Sequence, residues 1–474
     1  MLKVNLYRVA YVVLSALMLI NCSQAPEPTA LERVLQRGEL VILTRHEPTT
    51  YLTNQKKNTG FEYELVSLFA KQLGVQARFV VPENFQQVLQ IKPGDDADFA
   101  AAGLSITPER EKHLLFTAPY FQVTQQLIYH YRTRRPKSIN SLNSPFFEVM
   151  ASSSHAENLK RLKREHPTLQ WSEVDDKNVY ELISLVDKGL LDYTIADSNQ
   201  FQLLRGKFPQ LNAAFDLSPA EKVAWAFPKS GDHSLYDKAA EFLQQVEKSG
   251  QLKQLQDKYY GYQHHLDYVS NCTFRQHIKD RLPRLLPYFK ESAKKYNLDW
   301  KLLASIGYQE SHWNEQAISP TGVRGVMMLT RATAKQMKVE NRLDAKQSID
   351  GGAHYLFTRL KKIPKRIHEP DRTWFALASY NIGFGHMEDA RILTQEQGGN
   401  PDRWIDVKKS LPLLTKEEWY KKTRHGYARG KEPIIYIQNI RHYYNTLNQL
   451  DAFHEPLDTR IDINKRLKTD LPAL

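Results

Sequence analysis

Residues 298–311 read LDWKLLASIGYQES, and their spacing sets the character of the second half of the chain. Leu303, Ile306, Gly307 and Glu310 recur at one face of an α-helix. Asn297 is a fitting N-cap, and Asp299 suits the positive end of the helix dipole. Glu310 therefore ends a stripe that otherwise faces a core. Burial disfavours a carboxylate and raises its pKa. A general acid for glycosidic cleavage near neutral pH needs that shift. On this helix alone, the simpler reading is an ordinary helix-end glutamate in water.

The flanking sequence is helical as well. Residues 274–296, 332–337, 348–362, 373–383 and 433–447 carry helical periods, and strand-like runs nearly vanish after His264. Before it, short strands alternate with helices. Residues 39–44, 77–81, 99–106 and 123–129 read as extended, and 61–73, 237–248 and 252–260 as helical. That alternation implies an α/β unit with a largely parallel sheet, and its length suits two lobes. The chain is thus expected to be multidomain: a two-lobed α/β unit over 31–266, a mainly α unit over 267–450, and a loose tail over 451–474.

Residues 1–22 (MLKVNLYRVAYVVLSALMLINC) carry Lys3 and Arg8 before a short apolar run ending at Ile20. A bilayer span needs about 20 apolar residues, so the segment reads as an export signal. Cys22 follows directly, as in bacterial lipoproteins; Leu19 fits that pattern and Asn21 departs from it. Lipidation at Cys22, plain cleavage and an uncleaved anchor all put the bulk of the chain outside the cytoplasm. Residues 23–30 form a Pro-containing linker.

The chain has 474 residues, a net charge of +12 and two cysteines. Two cysteines exclude a disulfide scaffold, a Cys-based zinc site and an iron–sulfur protein. Cys272 reads as an inert thiol. The 16 histidines show no metal-ligand spacing, His264-His265 included, so neither metal nor cofactor is expected. A basic chain favours an anionic partner, and export argues against nucleic acid. Residues 267–474 hold 35 Lys and Arg against 24 Asp and Glu, a net of +11, so that partner belongs to the helical unit.

Past Glu310, residues 319–329 (SPTGVRGVMML) put Pro320, Gly322 and Gly325 in a turn before an apolar run. Residues 376–385 (ALASYNIGFG) end an apolar helix on Tyr380 and Asn381, and Tyr436 lies in a later helix. Tyr can pack on a sugar face, and Asn can bind an acetamido group. Each alone reads as core or turn; the order Glu310-Ser311, Gly325 to Leu329, Ala378 to Gly383, then Tyr436 resembles the motifs of the soluble-lytic-transglycosylase family of lysozyme-like domains. The resemblance covers about residues 270–450. Met327-Met328 and Gly426 to Gly430 fit a membrane-bound branch of it. Met328 stands where the wider family usually has Gln, so it is expected only to line the cleft. The first unit resembles family 3 extracellular solute-binding proteins, which have the periplasmic-binding-protein fold, at Arg37 to Leu40, Gly60 to Leu65, Ala102 to Arg110 and Phe116 to Tyr120.

These resemblances imply a peptidoglycan lytic transglycosylase. It would cleave the β-1,4 bond between N-acetylmuramic acid and N-acetylglucosamine without water and leave 1,6-anhydromuramoyl ends. Glu310 would be acid and then base, with Ser311 and Asn381 positioning substrate and Tyr380 and Tyr436 walling the site. Lys421 to His425 is a candidate basic rim for stem-peptide carboxylates. In the first unit, Arg110 and Asp197 would hold the carboxylate and ammonium of an amino acid or stem-peptide fragment, with Tyr51 as an aromatic wall. The expected location is the periplasmic side of the outer membrane of a Gram-negative bacterium. Two alternatives stay open: a glycan-binding sensor without catalysis, and a muramidase-type hydrolase.

Overall fold

The computed structural model describes residues 27–54, 57–142, 144–261 and 268–452. The signal with Cys22, the pair His264-His265 and the tail beyond residue 452 lie outside them. No helix among the described residues is long and apolar enough to cross a membrane.

The first lobe contributes β1 (Glu39–Leu43), α1 (Phe61–Leu73), β2 (Gln76–Val80), β3 (Phe99–Ser105), β4 (Leu114–Phe116) and β5 (Phe121–Val123). The chain then crosses into a second lobe. It contains β6 (Gln125–His130), β7 (Glu148–Met150), α2 (Ser154–Glu165), β8 (Ser172–Val174), α3 (Val179–Asp187), β9 (Tyr193–Asp197), α4 (Ser198–Leu204) and β10 (Leu211–Asp216). It returns to the first lobe as β11 (Glu221–Pro228), followed by α5 (Ser234–Lys248) and α6 (Gln251–Tyr260).

The first sheet has the order β2-β1-β3-β11-β4, with β5 also on β11. The expectation of a largely parallel sheet needs correcting. Only β1–β2 and β1–β3 are parallel; β11 runs antiparallel to β3, β4 and β5. The reason is connectivity: β11 re-enters from the other lobe, without the crossover helix that would keep it parallel. The second lobe pairs β9-β6-β10 antiparallel, beside a parallel β7–β8 pair.

The motif around residue 60 shows how local sequence builds the first lobe. Gly60 precedes α1 at φ 138°, and a Cβ there would sit 2.1 Å from the Thr50 carbonyl oxygen. Only glycine allows that approach. The next helical turn brings Glu62 into the core, where Trp225 Nε1 and the Gly103 N–H donate to it at 2.9 and 3.0 Å. Burial raises the Glu62 pKa against those hydrogen bonds.

The second unit is helical throughout: α7 (Tyr268–Asp280), α8 (Leu282–Tyr296), α9 (Trp300–Ser311), α10 (Arg331–Gln336), α11 (Ala345–Lys362), α12 (Asp371–Ile382), α13 (Phe384–Glu396), α14 (Trp404–Ser410) and α15 (Glu432–Ala452). The single period read over 274–296 is two helices, broken at Arg281. The core gathers Phe274, Phe289, Leu303, Ile306, Met327, Phe375 and Ile440, all nearly inaccessible.

The long helix α15 serves both units. Arg441 donates to Asp257 Oδ2 of α6 at 3.0 Å, and Lys408 reaches Asp257 Oδ1 at 2.5 Å. Burial alone would raise the Asp257 pKa, but the charges of Arg441 and Lys408 hold it below the usual value. Further along α15, Asn445 and Gln449 donate to the Leu203 carbonyl at 3.3 and 2.6 Å. Those two bonds satisfy an orphan acceptor in the last turn of α4.

Candidate active site

Glu310 sits one residue before the end of α9. Asp299 caps that helix by accepting the Lys301 N–H at 2.8 Å. Leu303, Ile306 and Gly307 are buried, as the stripe requires. The carboxyl is drawn in with them, and burial pushes its pKa up to about 7, against the lowering effect of one hydrogen bond. That bond comes from Tyr436 of α15, whose O–H donates to Glu310 Oε1 at 2.6 Å. No second carboxyl is among the groups acting on this charge. Glu315, the nearest acid in sequence, lies beyond the helix and 3.8 Å from Arg284.

The loop after α9 forms the facing wall. Gly325 has φ 81°, and a Cβ there would fall 1.7 Å from the Arg342 carbonyl oxygen. Arg342 in turn donates to the Gly322 and Leu329 carbonyls at 2.9 and 2.8 Å, so the turn is clamped from both sides. Ser311 donates to the Val326 carbonyl at 2.8 Å. Its hydroxyl proton thus ties the loop to the helix. Met328, half-buried, takes a left-handed backbone at φ 45°; Met327 is the one that enters the core.

Tyr380 lies in the last turn of α12, beside this loop. Its O–H donates to the Met327 carbonyl at 3.4 Å, and its ring stacks on Tyr436 with centroids 6.5 Å apart. Among the described residues, the hydrogen bond to the Glu310 carboxyl comes from Tyr436 and not from Tyr380. Asn381 is exposed at the helix end and free to meet a ligand. Sequence reasoning missed Tyr355 of α11, whose ring meets Tyr380 edge-on at 5.1 Å; nothing in its neighbourhood (GGAHYLF) marks it. In the expected basic rim, Lys421 pairs with Glu417 at 2.6 Å, and His425 is held by buried Asp389 at 3.1 Å.

The first unit's expected pocket is rearranged. Arg110 and Asp197 do come to the seam between the lobes, but each is paired within the chain. Arg110 Nε donates to Glu157 of α2 at 3.1 Å, Nη1 to the Ser105 carbonyl at 3.1 Å and Nη2 to the Ser152 carbonyl at 3.3 Å. His155, also on α2, donates to Asp197 at 2.9 Å. Tyr51 stacks on Phe79 with centroids 5.1 Å apart. The seam keeps a cavity of about 310 Å3, and none of the three expected residues lines it.

The geometry defines a class first: a solute-binding fold joined to a helical glycan-cleaving domain. Two family descriptions match accordingly, "Bacterial extracellular solute-binding proteins, family 3" over residues 40–262 and "Transglycosylase SLT domain" over 287–402. Tyr436 lies past the second match. The chain belongs to the membrane-bound lytic murein transglycosylase F family. It is 46% identical to the member from Saccharophagus degradans over 420 residues, 89% of this chain and 84% of that one. It is 46% identical to a member from Alkalilimnicola ehrlichii over 427 residues, 90% of this chain and 86% of the other. With the member from Pseudomonas fluorescens Pf-5 it shares 44% identity over 438 residues, 92% and 90% of the two chains.

Proposed function

We propose that this protein cleaves peptidoglycan as a lytic transglycosylase, with Glu310 as the sole acid and base. Protonated Glu310 gives its proton to the glycosidic oxygen between N-acetylmuramic acid and N-acetylglucosamine. The resulting carboxylate takes the proton of the muramoyl C6 hydroxyl, whose oxygen closes onto C1. The glycosidic bond breaks, the 1,6-anhydro ring forms, and Glu310 is protonated again. The observation that carries this reading is the half-buried Glu310 carboxyl, its pKa pushed up to about 7, bonded by Tyr436 and with no second carboxyl acting on its charge. A hydrolase would ordinarily need a second carboxylate, and Glu315 is engaged with Arg284. Asn381 positions substrate, Met328, Tyr380 and Tyr436 wall the cleft, and Ser311 acts through the loop it holds.

Digestion of purified sacculi with the wild type and with Glu310→Gln tests the reading. Anhydro ends, lighter by one water than reducing ends, are expected from the wild type and none from the variant. Reducing ends would establish a hydrolase instead, and no cleavage by either would leave a glycan-binding protein.

The solute-binding unit reads as a regulatory module for the lyase, responding to an amino acid or muropeptide. Support comes from α15, which touches Glu310 through Tyr436, Asp257 through Arg441, and the end of α4 through Asn445 and Gln449. Helix α4 begins at Asp197 on the lobe seam. A ligand that moves the lobes thus has a packed route to the acid. The relatives' name describes them as membrane-bound and acting on murein; a Gram-negative envelope location, export by residues 1–22 and a lipid at Cys22 on the periplasmic face of the outer membrane complete the proposal.

A further inference from the structure

Helix α11 turns one face toward the junction of α12 and α13. Tyr355, Arg359 and Lys362 share that face at i, i+4 and i+7. Contacts fix both of its ends. The Tyr355 ring meets Tyr380 edge-on at 5.1 Å, and Lys362 Nζ lies 5.5 Å from the centre of the Phe384 ring. Arg359 stands between them, its guanidinium 4.5 Å from the centre of the Tyr355 ring. It therefore faces the stretch from Tyr380 to Phe384, which holds Asn381 and Gly383.

Arg359 is 7% exposed and has no counter-charge. Among the described residues no carboxylate pairs with its guanidinium, and no acceptor meets its Nε. Other buried arginines of this unit are satisfied. Arg391 donates to the Pro401 carbonyl at 2.8 Å and pairs with Glu388 at 2.8 Å; Arg441 pairs with Asp257 at 3.0 Å. The acids nearest the junction in sequence are spent, Glu388 on Arg391 and Asp389 on His425. A buried cation without a partner is costly.

The junction adds a second positive feature. Helix α13 has 13 residues, and no side chain caps its first turn. Its N-cap is Gly383, at φ 93°, with open space where a Cβ would stand. The first N–H groups of a helix lack intrahelical acceptors and carry the positive end of its dipole. A buried guanidinium and an uncapped helix start thus meet directly after Tyr380 and Asn381. An anion seated there would satisfy both.

We propose that the α12–α13 junction is a carboxylate site of the cleft. Arg359 and the start of α13 hold a carboxylate of the glycan strand, carried by a stem peptide or by the lactyl group of a muramoyl residue. The anionic groups of peptidoglycan are carboxylates, and the guanidinium fork matches one. This site rests on the reading of the cleft as a peptidoglycan site, and names the part of that substrate gripped away from the reacting bond.

The test is equilibrium binding of the full chain to insoluble sacculi, in a Glu310→Gln background that does not cleave them. Arg359→Met, which drops the charge, is expected to bind roughly tenfold more weakly. Arg359→Lys, which keeps it, should retain more of the binding. On sacculi whose carboxylates are converted to methylamides, Arg359→Met and its parent should bind alike. Glycan stripped of stem peptides by an amidase separates the two sources: a deficit that persists there assigns the lactyl carboxylate, and one that vanishes assigns the stem peptide. Thermal melting is the second measurement. A buried cation without a partner stabilises nothing, so Arg359→Met should melt no lower than its parent. The site is overturned if Arg359→Met binds sacculi as tightly as its parent, if its deficit is as large on the methylamide form, or if it melts lower. A parent that fails to bind sacculi at all refutes the peptidoglycan reading, and the site with it.

Discussion

Removing one hydroxyl should move the working pH of this enzyme. In Tyr436→Phe the ring keeps its place against Tyr380, 6.5 Å between centroids, and only the 2.6 Å hydrogen bond to Glu310 is lost. A hydrogen bond to a charged group contributes roughly 1.5–3 kcal/mol, and one between neutral groups roughly 0.5–1.5. The Tyr436 hydroxyl therefore favours the anion of Glu310 over its acid by about 1.4 kcal/mol. At about 1.36 kcal/mol per pKa unit, its loss raises the Glu310 pKa by about one unit. The wild-type value of about 7 thus moves toward about 8. The acid form is the one that starts the reaction, so the fall of kcat/KM at high pH should shift upward by the same amount. The assay is the initial rate of anhydromuropeptide release from sacculi, measured across roughly pH 5 to 9. Tyr380→Phe is the control. Its hydroxyl bonds the Met327 carbonyl and not the glutamate, so its high-pH limb should stay in place. A Tyr436→Phe limb that stays put or moves down would refute the assignment of Tyr436 as a stabiliser of the Glu310 anion.

Other consequences can be checked on the same protein. Glu310 has a raised pKa when folded, so the native state holds a proton that the unfolded chain releases, and stability falls as pH climbs from 4.5 to about 7. Glu310→Gln removes that loss; it should abolish lysis yet gain roughly 3 kcal/mol over the wild type at pH 8 and almost nothing at pH 4, by denaturant unfolding. Gly325→Ala places a methyl against the Arg342 carbonyl at a positive φ. It should lower stability by roughly 2 kcal/mol or more and depress activity by displacing the loop that carries Val326 and Met327, seen in thermal melts and sacculus digestion. Asp257→Ala leaves Arg441 buried without its carboxylate. It should cost roughly 3–5 kcal/mol and separate the unfolding of the two units into distinct calorimetric transitions; a single unshifted transition would contradict the role given to this contact. The depressed Asp257 pKa has the opposite sign from Glu310: its contribution is present above the ordinary aspartate range and lost as pH falls through the lowered value.

Much of the plan is legible in the residues themselves, where the signal is local. Residues 61–73 carry a helical period, and α1 spans the same positions, because Gly60 and Gly74 bound it. The scarcity of strand-like runs after His264 corresponds to a unit with no strands among its described residues beyond isolated bridges. What was not legible depends on distant partners. The sheet was expected largely parallel because strand–helix alternation says nothing of a strand that returns from another lobe. The bond from Ser311 to the Val326 carbonyl could not be read from the helix, because it depends on a loop 15 residues away. Arg110 and Asp197 were expected to be open because nothing near either announces that α2 will fill the space between them.

The sequence by itself determined that a two-lobed α/β unit precedes a helical one, that the positive charge lies with the second, and that Glu310 ends an apolar stripe. Those are properties of short windows and of counts. Whether that glutamate faces water or a core was decided by tertiary structure alone. Its environment is made by α15, 126 residues further on, which supplies Tyr436. The pKa follows from that packing, since desolvation depends on every element that closes over a group and not on the helix that carries it.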